Sequence, residues 1–169
     1  MKKPFYTYLF ILIILLSFSS CGIYSFTGAS ISPEVKTISI KYFPNQAPLV
    51  QATLSQVFTD ALKDKFISQT NLTLVPDDGD LNIEGEITDY STKPIAITGD
   101  QTAALNRLTI TVKVKFTNKF DETQNFETTF SRYEDYESTK NLSDVEDVLI
   151  EQINSYLIED IFNKAVVNW

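Results

Sequence analysis

A single cysteine, Cys21, stands directly behind a stretch that runs basic, apolar and then small, from Lys2-Lys3 through Leu9-Phe10-Ile11-Leu12-Ile13-Ile14-Leu15-Leu16 to Ser19-Ser20. No other residue constrains the chain as much. Without a second cysteine no intrachain disulfide can form, so the fold must rest on packing alone. The order itself is that of a bacterial lipoprotein precursor, in which the thiol receives a diacylglycerol and the leader is cut just before it. Residues 1-20 are therefore expected to be a lipoprotein signal peptide, Cys21 the N-acyl and S-diacylglycerol cysteine, and 21-33 an acylated N-terminal tether. Counted from Phe5 to Phe18 the apolar stretch has about 14 residues, whereas a bilayer span needs about 20. Ser17-Phe18-Ser19 offers only a mediocre site for an ordinary secretory cut. Two or more acyl chains hold firmly, since each buried methylene adds about 0.8 kcal/mol.

Loss of the leader also removes Lys2 and Lys3, which moves the formal charge from −8 to −10, given 14 Lys+Arg and 22 Asp+Glu in the whole chain. Such an acidic surface is repelled by phosphate backbones and anionic headgroups, so nucleic acid is not an expected partner and membrane attachment falls to the acyl chains. The remaining stretch of about 149 residues suffices for one domain that buries roughly two-thirds of its surface.

Hydrophobic periodicity divides that domain, 34-169, into elements. Val35 to Phe43 alternates, with Ile38, Ile40 and Tyr42 on one side and Thr37, Ser39 and Lys41 on the other, which predicts a half-buried strand closed by Pro44. From Pro48 to Phe66 the spacing becomes helical, carried by Val50, Leu54, Val57, Phe58, Ala61, Leu62 and Phe66. Leu72-Thr73-Leu74-Val75-Pro76 predicts a short strand and Asp77-Asp78-Gly79-Asp80 a turn. Leu81, Ile83, Gly85 and Ile87 then begin a strand expected to reach about Tyr90, with a polar loop holding Pro94 beyond it. Leu108, Ile110, Val112, Val114 and Phe116 point one way and Thr109, Thr111, Lys113, Lys115 and Thr117 the other; Phe126, Thr128 and Phe130 repeat the pattern, so the two form an antiparallel hairpin. Ser143 and Glu146 have capping-box spacing ahead of a long amphipathic helix bearing Val145, Val148, Leu149, Ile153, Tyr156, Leu157, Ile161, Phe162 and Ala165. The fold class that follows is α+β, with two helices packed on one face of a largely antiparallel four- to five-stranded sheet in the order β-α-β-β-β-β-α.

Catalytic chemistry finds little support. The chain has no histidine, which removes Ser-His and Cys-His nucleophiles and the commonest metal ligand. It has no phosphate-binding glycine loop, no HExxH and no GxSxG, so no catalytic residue, cofactor or metal is expected. Asp77, Asp78 and Asp80 lack the alternating ladder and closing glutamate of a calcium loop and fit a plain turn. Glu134, Asp135 and Glu137 could supply a carboxylate pair for glycoside hydrolysis only if they lined a cleft; a solvated connection accounts for them without special geometry. Arg107, Lys113 and Lys115 form the one basic cluster. A phosphate-bearing lipid headgroup could dock there, and lysines that merely solvate a strand face are the plainer account.

The segment Cys21-Gly22-Ile23-Tyr24-Ser25-Phe26-Thr27-Gly28-Ala29-Ser30-Ile31, followed by Lys36-Thr37-Ile38-Ser39-Ile40 and Phe43-Pro44-Asn45, resembles the start of the LptE family of lipopolysaccharide-assembly lipoproteins. Leu81-Asn82-Ile83-Glu84-Gly85-Glu86-Ile87-Thr88-Asp89-Tyr90 is similar to that family's Gly-x-Ile-x-x-Tyr strand, and the order of elements matches over essentially the whole mature chain. The resemblance implies a non-enzymatic outer-membrane lipoprotein, lipid-anchored and facing the periplasm. Such a protein acts as plug and assembly partner of the LptD β-barrel in lipopolysaccharide transport, with lipopolysaccharide as a further ligand. Arg107, Lys113 and Lys115 are its candidate contacts here. The alternative is a free-standing periplasmic lipoprotein that binds a small apolar or glycan ligand on its sheet face.

Overall fold

In the computed structural model of the chain, which describes residues 31–49, 51–95 and 104–167, the alternating segments become five strands and the two helical segments become helices. They are β1 (Thr37–Ile40), α1 (Leu54–Gln69), β2 (Thr73–Leu74), β3 (Leu81–Ile95), β4 (Leu105–Asn118), β5 (Phe126–Glu137) and α2 (Leu142–Val166), with a 3-10 turn at Glu122–Gln124. The sheet order is β2-β1-β3-β4-β5, in which β1 pairs parallel to β2 and β3 while β3, β4 and β5 run antiparallel. The fold class is the expected α+β. The expected signal peptide, Cys21 and most of the expected tether lie outside the described residues.

Apolar alternation is what places the core. Leu108, Ile110, Val112, Val114 and Phe116 are all buried on the helix side of β4, where they meet Leu54, Phe58, Leu62 and Phe66 of α1 and Ile153, Leu157 and Ile161 of α2 in one cluster. Phe43 and Phe58 pack with ring centroids 5.2 Å apart and Phe66 meets Phe162 edge-on at 5.0 Å. Each such fully buried side chain contributes roughly 1.5–3 kcal/mol of transfer free energy.

Two extra residues correct the expected facing of aromatic side chains. Ile40 pairs with Ile83 and Asn45 with Ile87, so five steps along the first segment match four along β3. The added residue reverses the alternation: Tyr42, expected inward, is exposed, and Phe43 enters the core with its N–H donating to Thr59 Oγ1 at 3.1 Å. A second irregularity, between Ile87 and Asp89, lets Ile87 and Tyr90 share the buried face although they stand an odd three positions apart. Tyr90 then donates its hydroxyl to Glu146 of α2, and burial together with that carboxylate pushes its pKa far above the ordinary tyrosine value.

Other boundaries move for local reasons. The first helix begins at Leu54, later than Pro48, because the Gln51 side-chain oxygen accepts from the N–H groups of Thr53 and Leu54 and caps it there. Strand β3 continues to Ile95 and takes in Pro94; with β1 already ended, a missing N–H on that side leaves no ladder bond unmade. The expected capping box does not form. Helix α2 starts at Leu142 after Asn141, so Ser143 already lies within its first turn and Glu146 is engaged by Tyr90. Val57, Val148 and Tyr156, expected in the core, are exposed.

Candidate functional site: the open face of the sheet

With both helices on one side, alternation sends the polar half of each strand to the other. Asn82, Glu84 and Glu86 of β3, Arg107, Thr109, Thr111, Lys113 and Lys115 of β4, and Glu127, Thr129, Ser131, Tyr133 and Asp135 of β5 share this open face by register. Direct pairing sets Lys115 between Glu84 and Glu127 and places Lys113 opposite Glu86. Opposite charges at facing positions favour that register.

The side chains complete the pattern. Lys115 Nζ lies 2.6 Å from Glu84 Oε1, and Lys113 Nζ reaches diagonally to Glu127 Oε1 at 2.5 Å. Each lysine pKa is raised by its carboxylate partner, and that of Glu127 is lowered by Lys113, so these three groups stay ionised throughout the neutral range. The two lysines, with Lys41, Tyr42, Glu84, Glu86 and Glu127, line a groove of about 380 Å³. All members of both pairs remain about half exposed, which keeps the pairs weak and open to exchange.

Of the three basic candidates, Lys113 and Lys115 come together and Arg107 does not. Six strand residues set it roughly 20 Å from Lys113. There its guanidinium grips Asp135 through two bonds of 2.8 and 3.0 Å and stacks on Tyr133 with 3.5 Å to the ring centroid. Asp135 raises the arginine pKa further. The aromatic and acidic partners Tyr42, Glu84, Glu127 and Tyr133 were not singled out in the sequence as neighbours of these cations. The signal that would have found Glu84 and Glu127 is the strand register, which alternation alone does not supply.

The rival carboxylate clusters disperse. Glu134 faces the helix side of β5 while Asp135 and Glu137 face the open side, and Asp135 is held by Arg107, so they do not form a facing pair across a cleft. At the turn, Asp77 pairs with Lys41, Asp78 Oδ1 takes Lys119 at 2.7 Å, and the Asp80 carboxylate accepts from the N–H groups of Lys36 and Thr37 at 2.8 and 2.9 Å. Three acids thus serve three different partners. Asp78 adopts a positive φ of 56°, and Gly79 packs so closely that a Cβ would fall 2.5 Å from the backbone N of Ser39. Among the described residues no group of three or more His, Cys, Asp or Glu is placed to hold a metal.

Comparison with known proteins adds a family. The family model described as LptE, lipopolysaccharide-assembly, matches residues 35–165. A comparison with curated proteins finds no match. Among solved structures, a minor lipoprotein from Acinetobacter baumannii is 14% identical over 78% of this chain and 92% of its own, with a TM-score of 0.51. A hypothetical protein from Chlamydia trachomatis is 9% identical over 79% and 99%, with a TM-score of 0.52. A homologue of neuraminyllactose-binding hemagglutinin from Helicobacter pylori is 6% identical over 83% and 88%, also at 0.52. At these identities the three structures speak for the fold.

Proposed function

Because the chain belongs to the LptE family of lipopolysaccharide-assembly proteins, we propose that it is an outer-membrane lipoprotein, anchored through acylated Cys21 and facing the periplasm. In this reading it serves as plug and assembly partner of an LptD-like β-barrel. The observation that carries the reading is the family match across residues 35–165, which spans every strand and nearly all of α2. The open sheet face supports it. It is rich in threonine and several of its charges are matched in pairs, a surface suited to the polar interior of a large barrel. A plug needs shape and polarity, not a reaction, and no carboxylate pair on β5 offers one.

Lipopolysaccharide contact at Lys113 and Lys115 belongs to the same proposal. Half-exposed ion pairs are weak, so a phosphate can take the place of Glu84 or Glu127 at small cost. Arg107, held by Asp135 and Tyr133, gives up more to reach a ligand and would act as a separate contact. Crosslinking in intact cells from Thr111 or Thr129 on the open face tests the partner. Capture of a large outer-membrane β-barrel is expected, and recovery of the chain as a lone monomer sinks the reading.

A further inference from the structure

Three connections gather at the end of the sheet where the described chain begins. The Asp80 carboxylate accepts from the N–H groups of Lys36 and Thr37, and the Asp80 carbonyl accepts from Lys119 N–H at 3.0 Å. Thr73 N–H donates to the Lys36 carbonyl at 2.9 Å. The turn before β3, the turn between β4 and β5 and the start of β2 therefore surround the segment that leads back toward Cys21. Ile31 stands ten residues after Cys21, a length that reaches at most about 35 Å. An acyl chain on Cys21 thus keeps this end, and not the opposite one, near the lipid.

The same end holds apolar side chains out to solvent. Phe120, in the turn between β4 and β5, is 51% exposed, and Ile67, in the last turn of α1, is 47% exposed. The turn is fixed by its own bonds: Asn118 Oδ1 accepts from the N–H groups of Phe120 and Asp121 at 2.9 and 3.2 Å, and Asp121 Oδ1 from Thr123 N–H at 3.0 Å. Phe120 is thus presented, not left loose. Three nearby acids are turned inward to protein donors, Asp80 and Asp121 to backbone N–H groups and Asp78 to Lys119. Glu34 and Glu122 remain exposed, so this end suits a zwitterionic surface and is repelled by an anionic one.

We propose that this end is a membrane foot, in which Phe120, with Ile67 as a second contact, enters the boundary between headgroups and acyl chains of a zwitterionic lipid surface. The acyl chains hold the protein at the membrane, and Phe120 sets how it stands there. With the turn seated, β3, β4 and β5 rise from the surface and present their open face sideways, toward a partner in the same membrane. The proposal rests on the lipoprotein reading for its anchor.

The test supplies the anchor chemically, so that the two can fail separately. The mature chain, 21–169, is coupled through the Cys21 thiol to a maleimide phospholipid in phosphatidylcholine vesicles, with Trp169→Phe as background. Phe120→Trp, at an exposed position and so compatible with folding, should be quenched at least about twofold by lipid brominated in its acyl chains. Ile67→Trp should be quenched less. Leu49→Trp should not be quenched, because Leu49 follows Gln46, whose N–H bonds Ile87 about 20 Å along β3 from Leu81. Replacing half of the lipid by phosphatidylglycerol should reduce the quenching of Phe120→Trp. No quenching at Phe120→Trp, equal quenching at Leu49→Trp, or quenching that anionic lipid strengthens overturns the proposal. In cells, labelled palmitate that Cys21→Ser abolishes tests the anchor itself. Label without quenching overturns the foot alone, and quenching without label overturns the lipoprotein reading while the contact stands.

Discussion

At Gly85 a single methyl group would lie 2.1 Å from the Lys113 carbonyl oxygen and 2.6 Å from the Phe43 ring. Neither neighbour can retreat, one being the ladder of β4 and the other a fully buried ring. Gly85→Ala is expected to cost about 1–3 kcal/mol in urea unfolding, the range of overpacking with backbone displacement, and a loss below about 0.5 kcal/mol would refute this account. Asn154 presents the opposite case. It is 2% exposed on α2, and among the described residues neither polar atom of its side chain has a partner. Asn154→Leu should therefore raise stability, by about 1–2 kcal/mol, as the desolvated amide disappears; a fall in the unfolding midpoint would show that the amide is satisfied. Asp80 is governed by proton linkage. Its carboxylate accepts two backbone N–H bonds that hold its pKa below the ordinary 3.8, so the folded state favours the charged form. The contribution is complete above the unfolded value and fades as pH falls through the lower folded value. Asp80→Asn should flatten the acid limb of the stability curve, and an acid limb identical to that of the parent would count against it.

At the scale of elements, what matters is counting. One added residue after Ile40 and one at Thr88 turn Phe43 and Tyr90 into the core, and each undoes a simple reading of period two. Deleting Thr88 should straighten β3, turn Tyr90 to the open face, break its bond with Glu146 and cost at least about 3 kcal/mol in thermal unfolding. A variant as stable as the parent would mean that the irregularity is incidental. The helices were legible because α1 and α2 carry apolar residues at a spacing that strands do not share. Their exposed members were not, because which side of each helix meets the sheet is decided by packing, and Val148 and Tyr156 fall outside the buried stripe.

For the whole molecule, the absence of histidine has a direct consequence. With no side chain of ordinary pKa near neutrality, the unfolding midpoint should vary little between about pH 6 and 8 and fall only in acid, where carboxylates such as Asp80 and Glu127 take up protons. A neutral-range transition seen by calorimetry would contradict this. The open face predicts a separation of effects: Lys113→Gln with Lys115→Gln should leave the melting temperature nearly unchanged, because half-exposed pairs contribute little, while lowering lipopolysaccharide export. Unchanged export would leave the basic contact without support. The sequence by itself determined the α+β class, the inward face of β4, the reliance on packing without disulfides and the expectation of a lipid-bearing Cys21, because alternation, helical spacing and residue chemistry are local properties. Only the tertiary structure decided which carboxylates meet Lys113 and Lys115, where Arg107 stands apart, which aromatic turns inward at each added residue, and where the sheet ends. Those outcomes depend on register between strands distant in the chain, and a one-residue shift in register reverses every side chain on a strand.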